Sequence, residues 1–334
     1  MAQDTLRLQL EKASESPCQT AHTPTSDYGR LDKPGMRFYF IRHAESQNNR
    51  REVDDVSSKA KAHADREPDP SITERGLSQA QHCAVSLRSL SQDSTPREHR
   101  VRWVFTSLMR RALQTAKPIS EALGVPLIGK AALHEEGGIF CGERDQARQA
   151  DACQQQADVR HGMTRAEVVE LTPGIELGQD VDDSGWWQGG RETEEAMLKR
   201  AADVAVWLHE LAASSEEKSA GAAVVVSHGL FLSHLFAELL GCSHHGDRSP
   251  AFLSMNCSVS ILDLAGGRAG ICMLNSVEHL PPGALRTGHK AQGFQLVLGP
   301  PFDGSCRARE DVDYIWNLCG CTLAVMRRKR TAMK

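Results

Sequence analysis

The sequence predicts an α/β protein, a three-layer α/β/α sandwich around a mostly parallel sheet, and three observations carry that expectation. Short apolar runs alternate with amphipathic segments along the chain, the order that produces a sheet covered by helices. One run, Ala222 to Val226, is almost continuously apolar, as a central parallel strand buried on both faces is. The amphipathic segments place apolar residues three and four apart, which gives each helix one buried face.

Residues 1–34 mix Gln, Ser, Thr, Pro and charges without a sustained period and close on the turn signal Lys33-Pro34-Gly35, so they read as a flexible leader. Met36 to Ile41 is a short apolar and aromatic run suited to a buried strand. The charged stretch from Glu52 to Pro70 has little to bury and is expected to loop out. Thr73 with Gly76 then caps a helix whose inner face is Ala80, Cys83, Ala84, Leu87 and Leu90. Val101 to Phe105 gives the next strand, and Arg110 to Leu123 the next helix, stopped by Gly124 and Pro126. Val125 to Ile128 is a third strand.

From Cys141 to Gly190 the chain turns Gln- and Asp-rich, with a helical pattern only at Arg165 to Leu171. A span this long inside a domain reads as an insertion, expected to act as a lid. The helical period returns at Met197, Ala201, Val204, Ala205, Leu208 and Leu211. After the Ala222–Val226 strand come a helix from Leu230 to Leu240, closed by Gly241, and two strands, Ser258 to Leu264 and Gly270 to Leu274, joined through Gly266-Gly267. The organisation expected is thus a leader (1–34), one domain (35–280) containing the insertion (141–190), and a C-terminal extension (281–334) ending in the basic run Arg327 to Arg330.

Composition narrows the function classes. In 334 residues, 39 Lys and Arg stand against 43 Asp and Glu, a net charge of −4, which argues against a nucleic-acid partner, since such proteins carry a basic excess. No window approaches the roughly 18 consecutive apolar residues of a membrane span, and the first thirty residues lack a secretory apolar stretch. Ten cysteines without a paired rhythm read as reduced thiols, which points to the cytoplasm, with the nucleus as the alternative suggested by the basic tail. The close pair Cys319 and Cys321 has no second Cys/His pair at zinc-site spacing.

Three segments place charged or imidazole side chains directly after predicted strands, where open α/β sheets form their ligand crevice. They are Arg42-His43-Ala44-Glu45-Ser46, Ser107 to Arg111, and Ser227-His228-Gly229. Converging on one volume, Arg42 and Arg111 would hold and neutralise a phosphoryl group, because planar guanidinium groups match two phosphate oxygens at once. His43 would attack phosphorus as a neutral imidazole. His228 would donate to the equatorial oxygens, protonated by the bound dianion.

These segments resemble the histidine phosphatase superfamily, the phosphoglycerate mutase-like proteins. Arg42-His43-Ala44-Glu45-Ser46-Gln47-Asn48-Asn49 is similar to its signature, Ser107 to Ala116 to its second motif, and Val226-Ser227-His228-Gly229 to its late histidine motif. Asp69 to Gly76 resembles the stretch before the family's first helix, and the likeness runs in family order from about Met36 to Leu280. The resemblance implies a phosphoglycerate mutase-like fold, a phosphohistidine intermediate on His43, phosphate contacts from Arg42, Asn49, Arg111 and His228, and no metal or other cofactor.

Two positions depart from the pattern. The family usually has Gly where this chain has Ala44, whose methyl could narrow the pocket, although alanine is compatible with the motif. The family's proton donor sits in a Leu-any-Glu pattern followed by glycines. Leu133-His134-Glu135-Glu136-Gly137-Gly138 places Glu135 in register with compressed spacing, leaving Glu136 and His134 as alternatives. A leaving alkoxide needs a proton, which Glu135 would supply.

The expected function is hydrolysis of a phosphomonoester, either a small molecule or a protein, with no membrane partner. Mutase-type phosphotransfer is the alternative. Arg144, Arg148, Arg160 and Arg165 in the insertion are neither adjacent nor accompanied by a proline run, unlike the segment that grips the glycerate carboxylate in the family's mutases. A third reading is a catalytically weak pseudophosphatase acting as a binding module. Of the remaining features, Trp186-Trp187 reads equally as an aromatic wall over the substrate or as packing, and His244-His245 as a solvated loop.

Overall fold

The computed structural model describes residues 35–54, 67–140, 162–188, 190–214, 221–242 and 251–288, with the backbone of three short strands beyond them. The leader, residues 141–161 of the insertion, His244-His245 and the basic run at Arg327 lie outside the described residues, as do the side chains of Cys319 and Cys321.

The main sheet has strand order β4-β3-β2-β5-β1-β6-β7-β8. Its members are β1 (Met36–Arg42), β2 (Val101–Thr106), β3 (Leu127–Gly129), β4 (Glu176–Leu177), β5 (Ala222–Ser227), β6 (Val259–Ala265), β7 (Arg268–Ser276) and the two-residue β8 (Leu296–Val297). The first five in spatial order pair in parallel. The edge made by β6, β7 and β8 is antiparallel. Two further strands, β9 (Tyr314–Leu318) and β10 (Cys321–Val325), form a separate hairpin.

The helices are α1 (Gln47–Asp54), α2 (Glu74–Leu87), α3 (Arg110–Leu123), α4 (Arg165–Leu171), α5 (Glu194–Ser214) and α6 (Gly229–Leu239). Strand alternation divides the core into two layers. Tyr39 and Ile41 of β1 and Val224 and Val226 of β5 pack with α2 and α3, through Ala80, Cys83, Ala84, Leu113 and Ile119. The intervening Phe38, Phe40, Ala223 and Val225 face α5 and α6, through Val204, Leu208, Phe231 and Phe236. Strands buried on both faces must be apolar at every position, which is why β1 and β5 read as continuous runs. Each fully buried side chain of this size contributes about 1.5–3 kcal/mol.

Local signals set the element ends. Thr73 caps α2, its hydroxyl oxygen accepting the Gly76 N–H at 3.0 Å. Gly124 ends α3 at φ +64°, a left-handed conformation that a Cβ disfavours. The insertion contributes α4, with a Thr164/Glu167 capping box, and the edge strand β4. Helix α1 runs into the stretch expected to loop out from Glu52, its last residues reaching Asp54. Ser46 begins it, accepting the Asn49 N–H on its hydroxyl. Among the described residues no helix is long and apolar enough to cross a membrane.

Candidate active site

The site forms where three neighbouring parallel strands end. β1 and β5 pair with Arg42 opposite Ser227, so His43 and His228 each stand one residue past their strands. The His43 N–H donates to the Ser227 carbonyl at 2.9 Å, and the two rings lie 5.1 Å apart between centroids. On the other side of β5, the Ser107 N–H donates to the Val226 carbonyl at 3.0 Å, which places the second motif beside the third. Arg111, in the first turn of α3, completes the cluster with its Nε 3.3 Å from His43 Nε2. The topology therefore gathers Arg42, His43, Ser107, Arg111 and His228 at one sheet end.

Hydrogen bonds assign the protons. His43 Nδ1 lies 2.7 Å from the Ala44 carbonyl oxygen, which can only accept, so Nδ1 carries the hydrogen and Nε2 keeps its lone pair. Arg111 Nε, a donor only, meets that lone pair. His43 is buried and poised as a neutral nucleophile.

His228 is completely buried. Desolvation, reinforced by the Arg111 and Arg42 guanidiniums, holds its pKa well below the usual histidine value. It is therefore neutral in the unliganded site, and the cationic form expected from sequence is one that an arriving phosphate dianion has to create. Its Nε2 is 2.8 Å from Ser107 Oγ.

Arg42 is anchored by its Nη1 donating to the Ser254 carbonyl at 2.6 Å. A Cβ at Gly229 would lie 3.3 Å from Arg42 Nε, close enough that the arginine would have to shift by a few tenths of an ångström. Asn49 Oδ1 accepts from Asn256 Nδ2 at 3.1 Å and from the backbone and hydroxyl of Ser46, and none of these bonds uses its Nδ2 donors. Ala44 is fully buried within the apolar layer shared with α2 and α3, so its methyl fills core rather than pocket.

Glu135 Oε1 accepts the N–H groups of Phe231 at 2.9 Å and Glu136 at 3.0 Å. Phe231 lies in the first turn of α6, whose N-cap is His228, so this carboxylate sits against the helix start that the second histidine begins. The neighbouring candidates are engaged elsewhere. Glu136 pairs with His234 at 3.6 Å, which lowers its pKa. His134 bonds to the Ala131 carbonyl and lies 3.5 Å from Glu192. Trp186 and Trp187 pack on His134 at 5.7 and 4.8 Å between centroids. Glu192 is also clamped by Arg200, at 2.8 and 2.6 Å.

Several residues that support the site escape sequence reasoning. Asp69 accepts the Arg110 N–H at 2.9 Å and lies 3.8 Å from Arg111 Nη1. Burial pushes its pKa up to about 6 against the pull of Arg111. Thr115 Oγ1 accepts the Ala44 N–H at 3.0 Å while donating to the Arg111 carbonyl at 2.7 Å, tying nucleophile loop to α3. Asn256 Nδ2 also donates to the His43 carbonyl at 3.2 Å. Beyond residue 280, the Thr287 carbonyl and hydroxyl bond to Asn256. Asp69, just before the capped helix, and Thr115, within the second motif, lie in stretches that carried a signal; Asn256 and Thr287 do not.

The fold and site define an α/β protein that presents two imidazoles and two guanidiniums at the carboxyl end of a parallel sheet. The profile of the histidine phosphatase superfamily (branch 1) matches residues 38–162 and 155–277. The chain belongs to that superfamily. No curated protein matches it in sequence. Among solved structures it is similar to mycobacterial glucosyl-3-phosphoglycerate phosphatase, with 21% identity and TM-score 0.44 over 72% of this chain and 99% of the other. It is also similar to the α-ribazole phosphatase of Shigella flexneri, with 23% identity and TM-score 0.43 over 72% and 96%. A third similar structure is the phosphoserine phosphatase of Entamoeba histolytica, with 17% identity and TM-score 0.44 over 74% and 100%.

Proposed function

We propose that this chain is a phosphatase that hydrolyses a phosphomonoester through a phosphohistidine on His43. The observation that carries the reading is the tautomer of His43. Its Nδ1–H is held by the Ala44 carbonyl and its Nε2 lone pair meets Arg111 beside His228.

In the first step Nε2 of His43 attacks phosphorus and the P–O bond to the alcohol breaks. Glu135 gives its proton to the departing oxygen. Arg42, Arg111, Asn49 and a newly protonated His228 hold the three equatorial oxygens, where fixed donors stabilise the charge that develops. In the second step water attacks phosphorus, the P–N bond breaks, and the Glu135 carboxylate takes the water proton. Inorganic phosphate leaves and His43 is neutral again. Glu135 is favoured as the acid because Glu136 and His134 are tied to His234 and Glu192. The substrate is a small or protein-borne phosphomonoester, and thiols such as Cys83, Cys257 and Cys272 suit a cytoplasmic setting.

Turnover of p-nitrophenyl phosphate with excess chelator tests this directly. The expected result is hydrolysis that disappears in His43→Ala, with an acid-labile, base-stable phosphate on the wild-type protein during turnover. Isomerisation of 3-phosphoglycerate at a rate above hydrolysis would make it a mutase instead. Inactivity on a broad ester panel would make it a binding module.

A further inference from the structure

Arg200 of α5, which the proposed reaction does not use, holds the loop that carries Glu135. Its Nη1 donates to two carbonyls of that loop, Ala132 at 2.9 Å and His134 at 3.0 Å. The second is the oxygen of the peptide bond joining His134 to Glu135, so the guanidinium grips the backbone from which the carboxyl group hangs. Its charged face also covers the ring of Phe231, 4.3 Å from the centroid, within the range of a cation–π contact. Phe231 is completely buried and supplies one of the two N–H groups on Glu135 Oε1. One side chain therefore touches both the peptide of the proton donor and a residue that fixes its oxygen.

Glu192 completes the arrangement. Its carboxylate takes Nε and Nη2 of Arg200 at 2.8 and 2.6 Å, a two-pronged pair that fixes the plane of the guanidinium. Its own N–H donates to the Gly137 carbonyl at 3.1 Å, and the Gly138 N–H closes the turn onto the Glu135 carbonyl at 3.0 Å. The acid loop is thus held before Glu135 by Arg200 and after it by Glu192, and the two holders are bonded to each other. Between them, Ser227 Oγ donates to the Leu133 carbonyl at 2.8 Å, tying the same loop to the end of β5. The side chains of Arg200 and Glu192 are only 11% and 7% exposed. A buried ion pair adds little stability over apolar side chains of the same shape, so its contribution here is direction: the carboxylate and the two carbonyls hold the planar guanidinium in one orientation.

We infer that Arg200 is a positioning residue for Glu135, setting through the His134–Glu135 peptide and through Phe231 where the carboxyl group stands relative to the leaving oxygen. The inference rests on the phosphatase reading of the site. Arg200 acts through these two contacts and not on the phosphate. A general acid works within hydrogen-bond reach of the oxygen it protonates, and a misplacement of about 1 Å can cost on the order of 10²-fold in rate. The effect of Arg200 is therefore confined to substrates whose leaving oxygen needs a proton.

Two variants of the full chain separate positioning from folding. Arg200→Met alone strands a buried carboxylate, so it is combined with Glu192→Gln, and Arg200→Lys, which keeps the cation, is made beside it. Hydrolysis of 2-glycerol phosphate, an alkyl ester, is compared with that of p-nitrophenyl phosphate, whose leaving group departs unprotonated. In Arg200→Met/Glu192→Gln, kcat on the alkyl ester should fall roughly 10- to 100-fold while that on the aryl ester stays within about threefold, and Arg200→Lys should fall less. In a Glu135→Gln background the same changes should cost nothing further on the alkyl ester, because the group they misplace is already gone. Equal losses on both esters, or losses that add in full to that of Glu135→Gln, make Arg200 a structural brace and overturn the inference. If wild type hydrolyses neither ester, the phosphatase reading fails by itself. In that case, or where only the aryl ester is turned over, the positioning is read by NMR from the Phe231 amide proton and the Glu135 carboxyl carbon, both of which Arg200→Lys should shift. Unshifted signals overturn it.

Discussion

Ser107 Oγ lies 2.8 Å from Nε2 of His228 while accepting the Met109 N–H at 3.2 Å. The hydroxyl has one proton, and we assign it to His228 Nε2, the acceptor within reach. The neutral ring must then carry its own hydrogen on Nδ1, which makes no hydrogen bond among the described residues. Ser107 thus selects the nitrogen that can donate to a phosphoryl oxygen.

Replacing Ser107 by Ala should release that choice. We expect about a tenfold fall in kcat, of the size of one lost donor geometry, with Ser107→Thr close to wild type. The decisive measurement is the ¹⁵N NMR pattern of His228: an unchanged tautomer in Ser107→Ala would refute the assignment.

Arg111→Ala should cost roughly 10²- to 10³-fold in kcat/KM, because a donor aimed at developing charge is removed. It also deprives partly buried Asp69 of the cation beside it, which destabilises the fold. Asp69→Asn in the same chain should restore the melting temperature but not the rate. Recovery of both together would mean that Arg111 acts only structurally.

Asp69 gives stability a pH dependence with a definite sign. Its folded pKa of about 6 lies above the ordinary value of 3.8, so between those values the native state binds the extra proton. Stability therefore falls as pH rises from about 4 to 6, by up to about 3 kcal/mol if this group acted alone. Denaturant midpoints across that range should flatten in Asp69→Asn. A wild-type midpoint rising more steeply than the variant's would contradict the raised pKa.

Phosphate binding should take up a proton. His228 is neutral when the site is empty, and a dianion beside it restores the charge. Titration calorimetry with vanadate in buffers of different ionisation enthalpy should report uptake of about one proton per site near neutral pH. Affinity should weaken as pH rises, and no buffer dependence would exclude His228 as the proton acceptor.

Glu135→Gln should depend on the leaving group. An alkyl phosphate needs a proton on the departing oxygen and should slow about 10²- to 10⁴-fold, whereas p-nitrophenolate leaves without one. Gln keeps an oxygen for the Phe231 N–H, so folding is preserved. Equal losses on both esters would remove Glu135 from the proton-transfer role.

The sheet and the ends of its strands are legible in sequence because the same local rules make both. Continuous apolar runs mark β1 and β5, and the polar residues that interrupt them, His43 and His228, are the ones the topology brings together. Helix α1 is less visible: it carries no apolar period, and its only signal is Ser46 ahead of Asn49. Asn256 and Thr287 were not legible at all. Asn256 holds His43 and Asn49, and Thr287 holds Gln79, each about 200 residues away, and nothing local in a polar turn announces which distant group it will hold. The charge of His228 likewise depends on burial and on two guanidiniums supplied by other segments.

The in-step pairing of β1 with β5 makes chain length here a chemical variable. Side chains along a strand alternate in parity, so one residue gained or lost in either would send its terminal imidazole toward the opposite layer while leaving composition nearly untouched. Substitutions inside Phe38–Ile41 or Ala223–Val226 are graded insults to packing. A single-residue indel there is an all-or-none one, and it would part the two rings without altering either.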